Sequence, residues 1–334
     1  MAPLAASLGD PAGIGPELIA EAWTRRDAGR LSPFFVVGGA SVLAAAARTR
    51  GLELPVVRIS HPAEAAEAFA HGLPVLGEDD DAYSPGEPAR DGALLALASL
   101  TRAAALAVGG EASGIVTGPI SKARLAEVGF GHPGQTEFVA DAAGVTSREA
   151  VMMLAGPHLR TVPVTVHTSL ASVPALLTID LIVDRARIVA RALQRDFGID
   201  NPRLAIAGLN PHAGEEGRMG DEEVRVIAPA IAALRAEGFA VTGPHPADAL
   251  FAARARETYD VALCMYHDQA LIPLKALDFD SGVNITLGLP IVRTSADHGT
   301  AFAIAGKNLA DAGATIAAIR MAGECALRRA GAAR

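Results

Sequence analysis

Three histidines follow three apolar runs of the sequence, each where the run ends. VPVTVHTS reaches His167, LAIAGLNPH reaches His212 through a turn, and VALCMYHD reaches His267. In an open α/β sheet ligands bind at the carboxyl ends of the strands, so imidazoles delivered by three separate strands can converge there. Three histidines with an open position form a common catalytic site for a divalent metal. One such histidine is more often a hydrogen-bonded structural residue, and the repetition is what favours a metal.

The residue after the third histidine admits two interpretations. Asp268 either orients the His267 ring as a hydrogen-bond acceptor or caps the turn that follows.

Two further groups of polar residues suit an anionic ligand. Lys275, Asn284 and Arg293 lie in a largely apolar stretch, where lysine offers a point charge and arginine a bidentate fork. Gln135 and Thr136 lie in the loop HPGQTEF, for which an ordinary turn with Thr136 as helix N-cap is an equally good interpretation. Because the formal net charge is -8, an anion needs such a local positive site.

Short apolar runs alternate with amphipathic segments, which is the pattern of an α/β protein. LAASLG, FFVVGG and GIVTGP predict strands. TIDLIVDRARIVARALQRDFGI predicts a helix with Thr178 or Asp180 as N-cap and Gly198 near its end. A chain of 334 residues is long enough for two lobes, and without a Pro/Ser-rich linker we expect the chain itself to cross between them.

Composition argues against several classes of protein. The chain has no basic stripe interleaved with aromatic residues, so nucleic acid is not an expected partner. Its two cysteines, Cys264 and Cys325, have neither metal-ligand spacing nor the pattern of a disulfide framework, which is typical of a reducing compartment. No signal peptide or membrane span is apparent, and we expect a cytoplasmic protein.

The usual dinucleotide fingerprint is absent. In GDPAGIGPE, Gly9, Gly13 and Gly15 follow a predicted strand, but Leu18 occupies the place of the third glycine. The stretch predicts a tight turn into a helix with Pro16 at its first position. The residues alone therefore do not assign NAD.

Eight motifs together resemble one family. In order they are GDPAGIGPE, TGPISK, GQTEF, LNPHAGE, GPHPADALF, MYHDQ, GVNITLGLP and RTSADHGTAFAIAGK. They closely resemble the 4-hydroxythreonine-4-phosphate dehydrogenase family of pyridoxal phosphate (vitamin B6) biosynthesis, from about residue 4 to about residue 325.

The resemblance implies an α/β fold like that of isocitrate and isopropylmalate dehydrogenases, with three α/β/α layers and an active-site cleft between two lobes. We expect residues 1–127 with 275–334 to form a discontinuous nucleotide-binding lobe, and residues 128–274 to form a lobe for metal, substrate and dimerisation. The resemblance also implies a homodimer whose active site is completed by the partner chain.

The resemblance also implies roles for individual residues. A divalent metal, zinc, magnesium or cobalt, would bind His167, His212 and His267. The substrate would bind Gln135, Thr136, Lys275, Asn284 and Arg293. DHGTAFAIAG resembles the loop that holds NAD or NADP in the wider fold, which implies cofactor roles for His298, Gly299, Thr300, Ala301 and Gly306.

The implied reaction is oxidation of 4-phosphohydroxy-L-threonine at C3. The resulting β-keto acid decarboxylates to 3-amino-2-oxopropyl phosphate. Asp248, Lys275 and a metal-bound water are alternatives for the general base.

One departure from the family pattern bears on the substrate. The family usually has histidine where this chain has Gln135, and glutamine cannot carry charge or move a proton near neutral pH. The first alternative is therefore a related dehydrogenase of D-threonate or D-erythronate 4-phosphate. A metal-dependent hydrolase is a second, less favoured alternative. An acyltransferase acting on phosphate has no use for three metal histidines, and the concentration of charged groups argues against a non-catalytic binding protein.

Overall fold

Alternating strands and helices run through residues 1–332, which are the residues that the computed structural model describes. The mixed α/β class predicted from the sequence is confirmed. The strands are β1 (Leu4–Ser7), β2 (Phe34–Val37), β3 (Val56–Ile59), β4 (Leu73–Leu76), β5 (Ile115–Thr117), β6 (Val151–Ala155), β7 (Arg160–Pro163), β8 (Arg203–Ala207), β9 (Ala240–His245), β10 (Val261–Cys264), β11 (Val283–Leu287) and β12 (Arg293–Ala296).

Helices connect most of these strands. The α-helices are α1 (Gly15–Thr24), α2 (Ala40–Thr49), α3 (Ala65–Ala68), α4 (Arg90–Val108), α5 (Lys122–Ala126), α6 (Gln135–Ala142), α7 (Val173–Leu176), α8 (Ile179–Phe197), α9 (Ala228–Ala236), α10 (Ala247–Leu250), α11 (Ala253–Arg256), α12 (His267–Asp278) and α13 (Gly313–Ala332). Short 3₁₀ turns cover Pro62–Glu64, Leu170–Ser172 and Phe302–Ile304, and a π-turn covers Glu223–Ile227. The segment Pro211–Gly217 is an irregular loop with left-handed backbone.

The chain forms two units, the first of which is discontinuous. Unit 1 comprises Met1–Ala150 and Leu289–Arg334, and unit 2 comprises Val151–Gly288. The expected boundaries, after residues 127 and 274, therefore lie too early in the chain. Packing explains the difference, because α6 packs on α4 in unit 1, whereas α12 and β11 pack on β6 in unit 2.

Unit 1 is built on a parallel sheet of strand order β3-β4-β2-β1-β5-β12. The buried side chains of Phe35, Leu76, Leu100 and Ile115 belong to its core. The predicted turn GDPAGIGPE follows β1, and the helix after it begins at Gly15, one residue earlier than expected. The carboxyl ends of β1, β5 and β12 are neighbours, so the segments that leave them start from one edge of this sheet.

One helix of the described chain, α4, is long and apolar enough to cross a membrane. Of its most apolar window, 56% is buried inside the protein, and its side chains contribute to the core of unit 1. This burial is what a core helix of a soluble protein shows.

Unit 2 is built on a mixed sheet of strand order β11-β6-β7-β10-β8-β9. β6 is antiparallel to both β11 and β7, whereas β7, β10, β8 and β9 are parallel. The predicted helix before β8 is α8, in which the Thr178 side chain accepts the N–H of Leu181 and Gly198 adopts a left-handed φ of 68° at the C-cap. The three histidine segments leave β7, β8 and β10, and these strands are neighbours with the same direction.

Gln269 ties together the ends of two of these strands, β10 and β8. Its Oε1 accepts the N–H of Met265, just beyond β10, at 2.6 Å. Its Nε2 donates to the carbonyl of Gly208, just beyond β8, at 2.8 Å. The Met265 carbonyl also accepts the hydroxyl of Thr165, beyond β7, at 2.8 Å. The buried Gln269 amide therefore joins the ends of β10 and β8, and the Thr165 hydroxyl joins the end of β7 to that of β10.

We predict that Gln269→Leu destabilises the protein by about 2–4 kcal/mol, because two buried backbone groups lose their partner while side-chain volume hardly changes. The midpoint of urea unfolding measures this loss. The matched control is Gln194→Leu, since Gln194 also donates to a backbone carbonyl, that of Asp200 at 2.9 Å, but is exposed. We expect the control to change stability by less than about 0.5 kcal/mol. Equal midpoints for the two variants would contradict the prediction.

Candidate active site

Two of the three strand-end histidines lie close together in unit 2. The ring centroids of His167 and His267 are 6.0 Å apart, with 40° between the ring planes. His267 is the first residue of α12, whereas β7 ends at Pro163, earlier than the sequence pattern indicated. A cavity of about 290 Å³ adjoins the two rings and is lined by Thr165, Val166, His167, Thr168, Leu170, Val173, Tyr266, His267 and Asp268.

Asp268 contacts the His267 ring. Its Oδ1 lies 2.7 Å from His267 Nδ1, which is the orienting contact anticipated as one of its two roles. A carboxylate on one ring nitrogen fixes the ring and leaves Nε2 to face a ligand.

His212 lies in a loop of unusual backbone. Six consecutive residues have positive φ, namely His212, Ala213, Gly214, Glu215, Glu216 and Gly217. Buried Glu223 holds the start of this loop, because its Oε1 accepts the N–H groups of Leu209 and Asn210 at 2.7 Å each. Within residues 1–332 no group of three or more His, Cys, Asp or Glu side chains is arranged to hold a metal. The described part of one chain thus brings together two of the three predicted ligands.

Left-handed backbone occurs in the histidine segments and around the predicted nucleotide loop. Among the described residues eight non-glycine positions have positive φ, and these are Arg30, His167, His212, Ala213, Glu215, Glu216, Ala301 and Asn308. All except Arg30 lie in the histidine segments or in and just after the predicted nucleotide loop. Such a conformation costs about 1–3 kcal/mol per residue and is retained chiefly where function requires it. The strain therefore supports these segments as functional, without identifying their ligands.

A buried arginine forms the centre of a polar group in unit 1. Arg293, the first residue of β12, is only 3% exposed. Its guanidinium donates to the hydroxyls of Thr117 at 2.8 Å and Thr136 at 3.2 Å, and to Gln135 Oε1 at 3.5 Å. Burial lowers the pKa of the Arg293 guanidinium to about 10, with Glu137 acting in the opposite direction. The arginine stays charged at neutral pH and offers a desolvated cation to an anion.

Gln135 and Thr136 both contact Arg293, but the interpretation of Thr136 as a helix N-cap is wrong. The N-cap of α6 is Gly134, so Thr136 does not cap this helix. Gln135 Nε2 donates to the Gly118 carbonyl at 2.9 Å while its Oε1 faces Arg293. Thr117 was not anticipated, and its only sequence signal was a hydroxyl at the end of the apolar strand GIVTGP.

The other predicted catalytic and substrate residues lie in unit 2. Lys275 is half-buried in α12, and Asp248 is exposed in α10. Asn284, on β11, has a buried Oδ1 for which the described residues provide no hydrogen-bond partner. Such an atom is costly unless a ligand or water satisfies it, which favours Asn284 as a binding residue.

The predicted nucleotide loop follows β12 in unit 1. Its first residue, His298, has a buried Nε2 without a hydrogen-bond partner in residues 1–332. The Thr300 carbonyl accepts the N–H of Ile14 at 2.9 Å, and the Gly306 N–H donates to Glu17 at 2.6 Å. The remaining loop residues, Gly299 and Ala301, are exposed. The glycine-rich turn after β1 therefore contacts this loop.

Comparisons with known proteins agree with the motif pattern. The family model of the pyridoxal phosphate biosynthetic protein PdxA matches residues 30–322. A 4-hydroxythreonine-4-phosphate dehydrogenase from Erythrobacter litoralis is 63% identical over 98% of both chains.

Two solved structures have the same kind of fold. A 4-hydroxythreonine-4-phosphate dehydrogenase from Klebsiella pneumoniae is 39% identical with a TM-score of 0.86, covering 98% of this chain and 100% of that one. A terephthalate 1,2-cis-dihydrodiol dehydrogenase from Burkholderia xenovorans is 30% identical with a TM-score of 0.65, covering 96% and 98%. The family match spans most of the chain and the relatives span nearly all of it, so the chain belongs to the PdxA family of pyridoxal phosphate biosynthetic proteins.

Proposed function

We propose that the chain is a metal-dependent 4-hydroxythreonine-4-phosphate dehydrogenase of vitamin B6 biosynthesis. It would oxidise 4-phosphohydroxy-L-threonine at C3 with NAD or NADP, and the product would decarboxylate to 3-amino-2-oxopropyl phosphate. The observation that carries the proposal is the buried cation of Arg293 among Thr117, Thr136 and Gln135, in a chain whose relatives bear this name. A chain of net charge -8 needs such a site for a doubly anionic substrate.

The chain's own residues would bind and orient the substrate. Arg293, Lys275 and Asn284 suit its phosphate and carboxylate, because all three present hydrogen-bond donors and two are cationic. Fixing both anionic ends sets the orientation of the C3 hydrogen towards the nicotinamide. Lys275 or Asp248 would hold the proton taken from the C3 hydroxyl.

The histidines suit a divalent cation. Two neighbouring imidazoles, one oriented by Asp268, match the nitrogen ligands that zinc and cobalt prefer, and magnesium remains an alternative. When bound, the cation would supply positive charge beside the C3 oxygen, which lowers the pKa of the hydroxyl and favours its deprotonated form. His167, His267 and His212 would hold it, with His212 or its equivalent from a partner chain completing the set.

The nucleotide would bind at the loop from His298 to Gly306. The buried Nε2 of His298, which has no hydrogen-bond partner among residues 1–332, supports this role, and the exposed backbone of Gly299 allows close approach. We propose a cytoplasmic homodimer with shared active sites, in line with the family resemblance.

The reaction is tested by following absorbance at 340 nm with a divalent cation and NAD or NADP. We expect reduction with 4-phosphohydroxy-L-threonine to exceed that with D-threonate or D-erythronate 4-phosphate. Preference for a sugar-acid phosphate would overturn the proposed substrate but keep the dehydrogenase. Absence of reduction with all three would overturn the reaction itself.

Arg293→Met should raise the KM for the phosphorylated substrate by about a hundredfold, because a desolvated charge-assisted contact is lost. The KM for the nucleotide should stay within about twofold. The control is Arg124→Gln, which removes a partly exposed arginine that pairs with nearby Glu127. A substrate KM that rises equally in both variants would exclude a specific role for Arg293.

His212→Ala should abolish both turnover and metal binding while the protein remains folded, because one metal ligand is lost. Metal content is measured after dialysis, beside the exposed control His71→Ala. If His212 and His267 of one site come from different chains, mixing His212→Ala with His267→Ala should restore about a quarter of wild-type activity. Full activity of metal-stripped His212→Ala protein would refute the metal proposal.

A further inference from the structure

Glu17 is a buried carboxylate with no role in the chemistry described above. It lies in the first turn of α1, and its side chain is 0% exposed. An ionisable group is rarely buried to this extent unless its partners compensate for the lost hydration. The identity of those partners therefore indicates what the residue does.

The two oxygens of Glu17 face different partners. Oε1 accepts the backbone N–H of Gly306 at 2.6 Å and the hydroxyl of Tyr83 at 3.1 Å. Oε2 lies 3.4 Å from the guanidinium of Arg50. Arg50 also pairs with Glu21, one turn further along α1, and donates to the Ala310 carbonyl at 3.1 Å. Oε1 thus accepts hydrogen bonds from the loop and from Tyr83, while Oε2 is paired with Arg50.

The loop is fixed near its start as well. The N–H of Ile14 donates to the Thr300 carbonyl at 2.9 Å. A Cβ atom added to Gly13 would lie 2.8 Å from that same carbonyl, so the turn after β1 approaches the loop as closely as glycine permits. Ile14 and Glu17, three residues apart, therefore hold Thr300 and Gly306 at the two ends of the predicted nucleotide segment.

A third segment completes the contact. The Gly86 N–H donates to the Ala12 carbonyl at 2.8 Å, which places the segment of Tyr83 beside the same turn. A Cβ atom on Gly306, whose φ is 73°, would lie 2.7 Å from Pro85. Gly306 is thus confined between Pro85 and Glu17, and its N–H points at the carboxylate.

We propose that Glu17 is a positioning residue for the nucleotide loop, holding it in the binding conformation through the Gly306 N–H. The role rests on the proposed nucleotide site at His298–Gly306. A charged acceptor binds a backbone N–H more strongly than a neutral one, so the loop is ordered before the nucleotide arrives. Glu17 itself touches neither the substrate nor the reacting atoms.

Measuring both the dinucleotide Kd and the substrate KM distinguishes a positioning role of Glu17 from a contribution to overall stability. Glu17→Met, which keeps the side-chain length but has no acceptor oxygen, should raise the Kd for the dinucleotide at least about tenfold. Glu17→Gln, which retains one acceptor, should raise it less. The KM for the phosphorylated substrate should stay within about twofold in both.

Glu21→Met is the matched control. It removes the other carboxylate of Arg50 from the same helix, but the contacts described for Glu21 do not include the loop. Its dinucleotide Kd should stay within about twofold of wild type even if its unfolding midpoint falls as far as that of Glu17→Met. Equal rises in Kd for the two methionine variants would overturn the proposal.

Amide hydrogen exchange keeps the proposal testable if Glu17→Met does not fold. The Gly306 amide should be protected in the nucleotide-free wild type and should exchange faster in Glu17→Gln than in Glu21→Met. Unprotected exchange in the wild type would overturn the positioning role while leaving the nucleotide site intact. A wild-type chain that binds neither NAD nor NADP would instead overturn the nucleotide site, and this role with it.

Discussion

Parallel pairing of neighbouring strands is the constraint on which the candidate site residues of each unit depend. In unit 2, β7, β10 and β8 run side by side in one direction, so the segments that leave their carboxyl ends begin at one edge. In unit 1, β1, β5 and β12 do the same for the glycine-rich turn, the Thr117 segment and the nucleotide loop. Residues far apart in sequence are thereby placed within side-chain reach, which is why ligands of α/β proteins bind at such edges.

Each unit then uses a buried carboxylate to fix the loop that the sheet has placed. Glu223 accepts two backbone N–H groups at the start of the His212 loop, and Glu17 accepts that of Gly306. Non-glycine residues of positive φ lie near both contacts. They are His212, Ala213, Glu215 and Glu216 in the first loop, and Ala301 and Asn308 in and just after the second. Hydrogen bonds to an ionised acceptor are strong enough to offset part of the strain of such a backbone.

The sequence predicted those features that are specified locally or by periodicity. Helix α8 is bounded by Thr178 and Gly198, whose capping roles follow from their own chemistry. The sequence also indicated that three histidines follow strand ends, whereas the adjacency of β7, β10 and β8 was seen only in the structure. By contrast, the unit boundaries fell later than expected, because the packing of α6 and β11 is decided by partners distant in sequence.

Polar contacts inside the protein were the least predictable part. Arg293 meets Thr117 across 176 residues, and Gly306 meets Glu17 across 289. A threonine ending a strand and a glutamate opening a helix are common, and nothing local distinguishes these two from their exposed counterparts. Arg293 itself could be singled out, because an arginine in an apolar stretch with few acids needs an explanation.

The discontinuity of unit 1 has a consequence for how the protein is made. Its strand β12 pairs with β5, yet residues 151–288 are synthesised between them. At about 5–20 residues per second, β5 waits on the order of ten to forty seconds for its neighbour. During that interval an apolar parallel strand, with Ile115 and Val116, has an unpaired edge, which is a template for aggregation. We therefore expect chaperones to bind the unpaired edge of β5 while unit 2 is emerging from the ribosome.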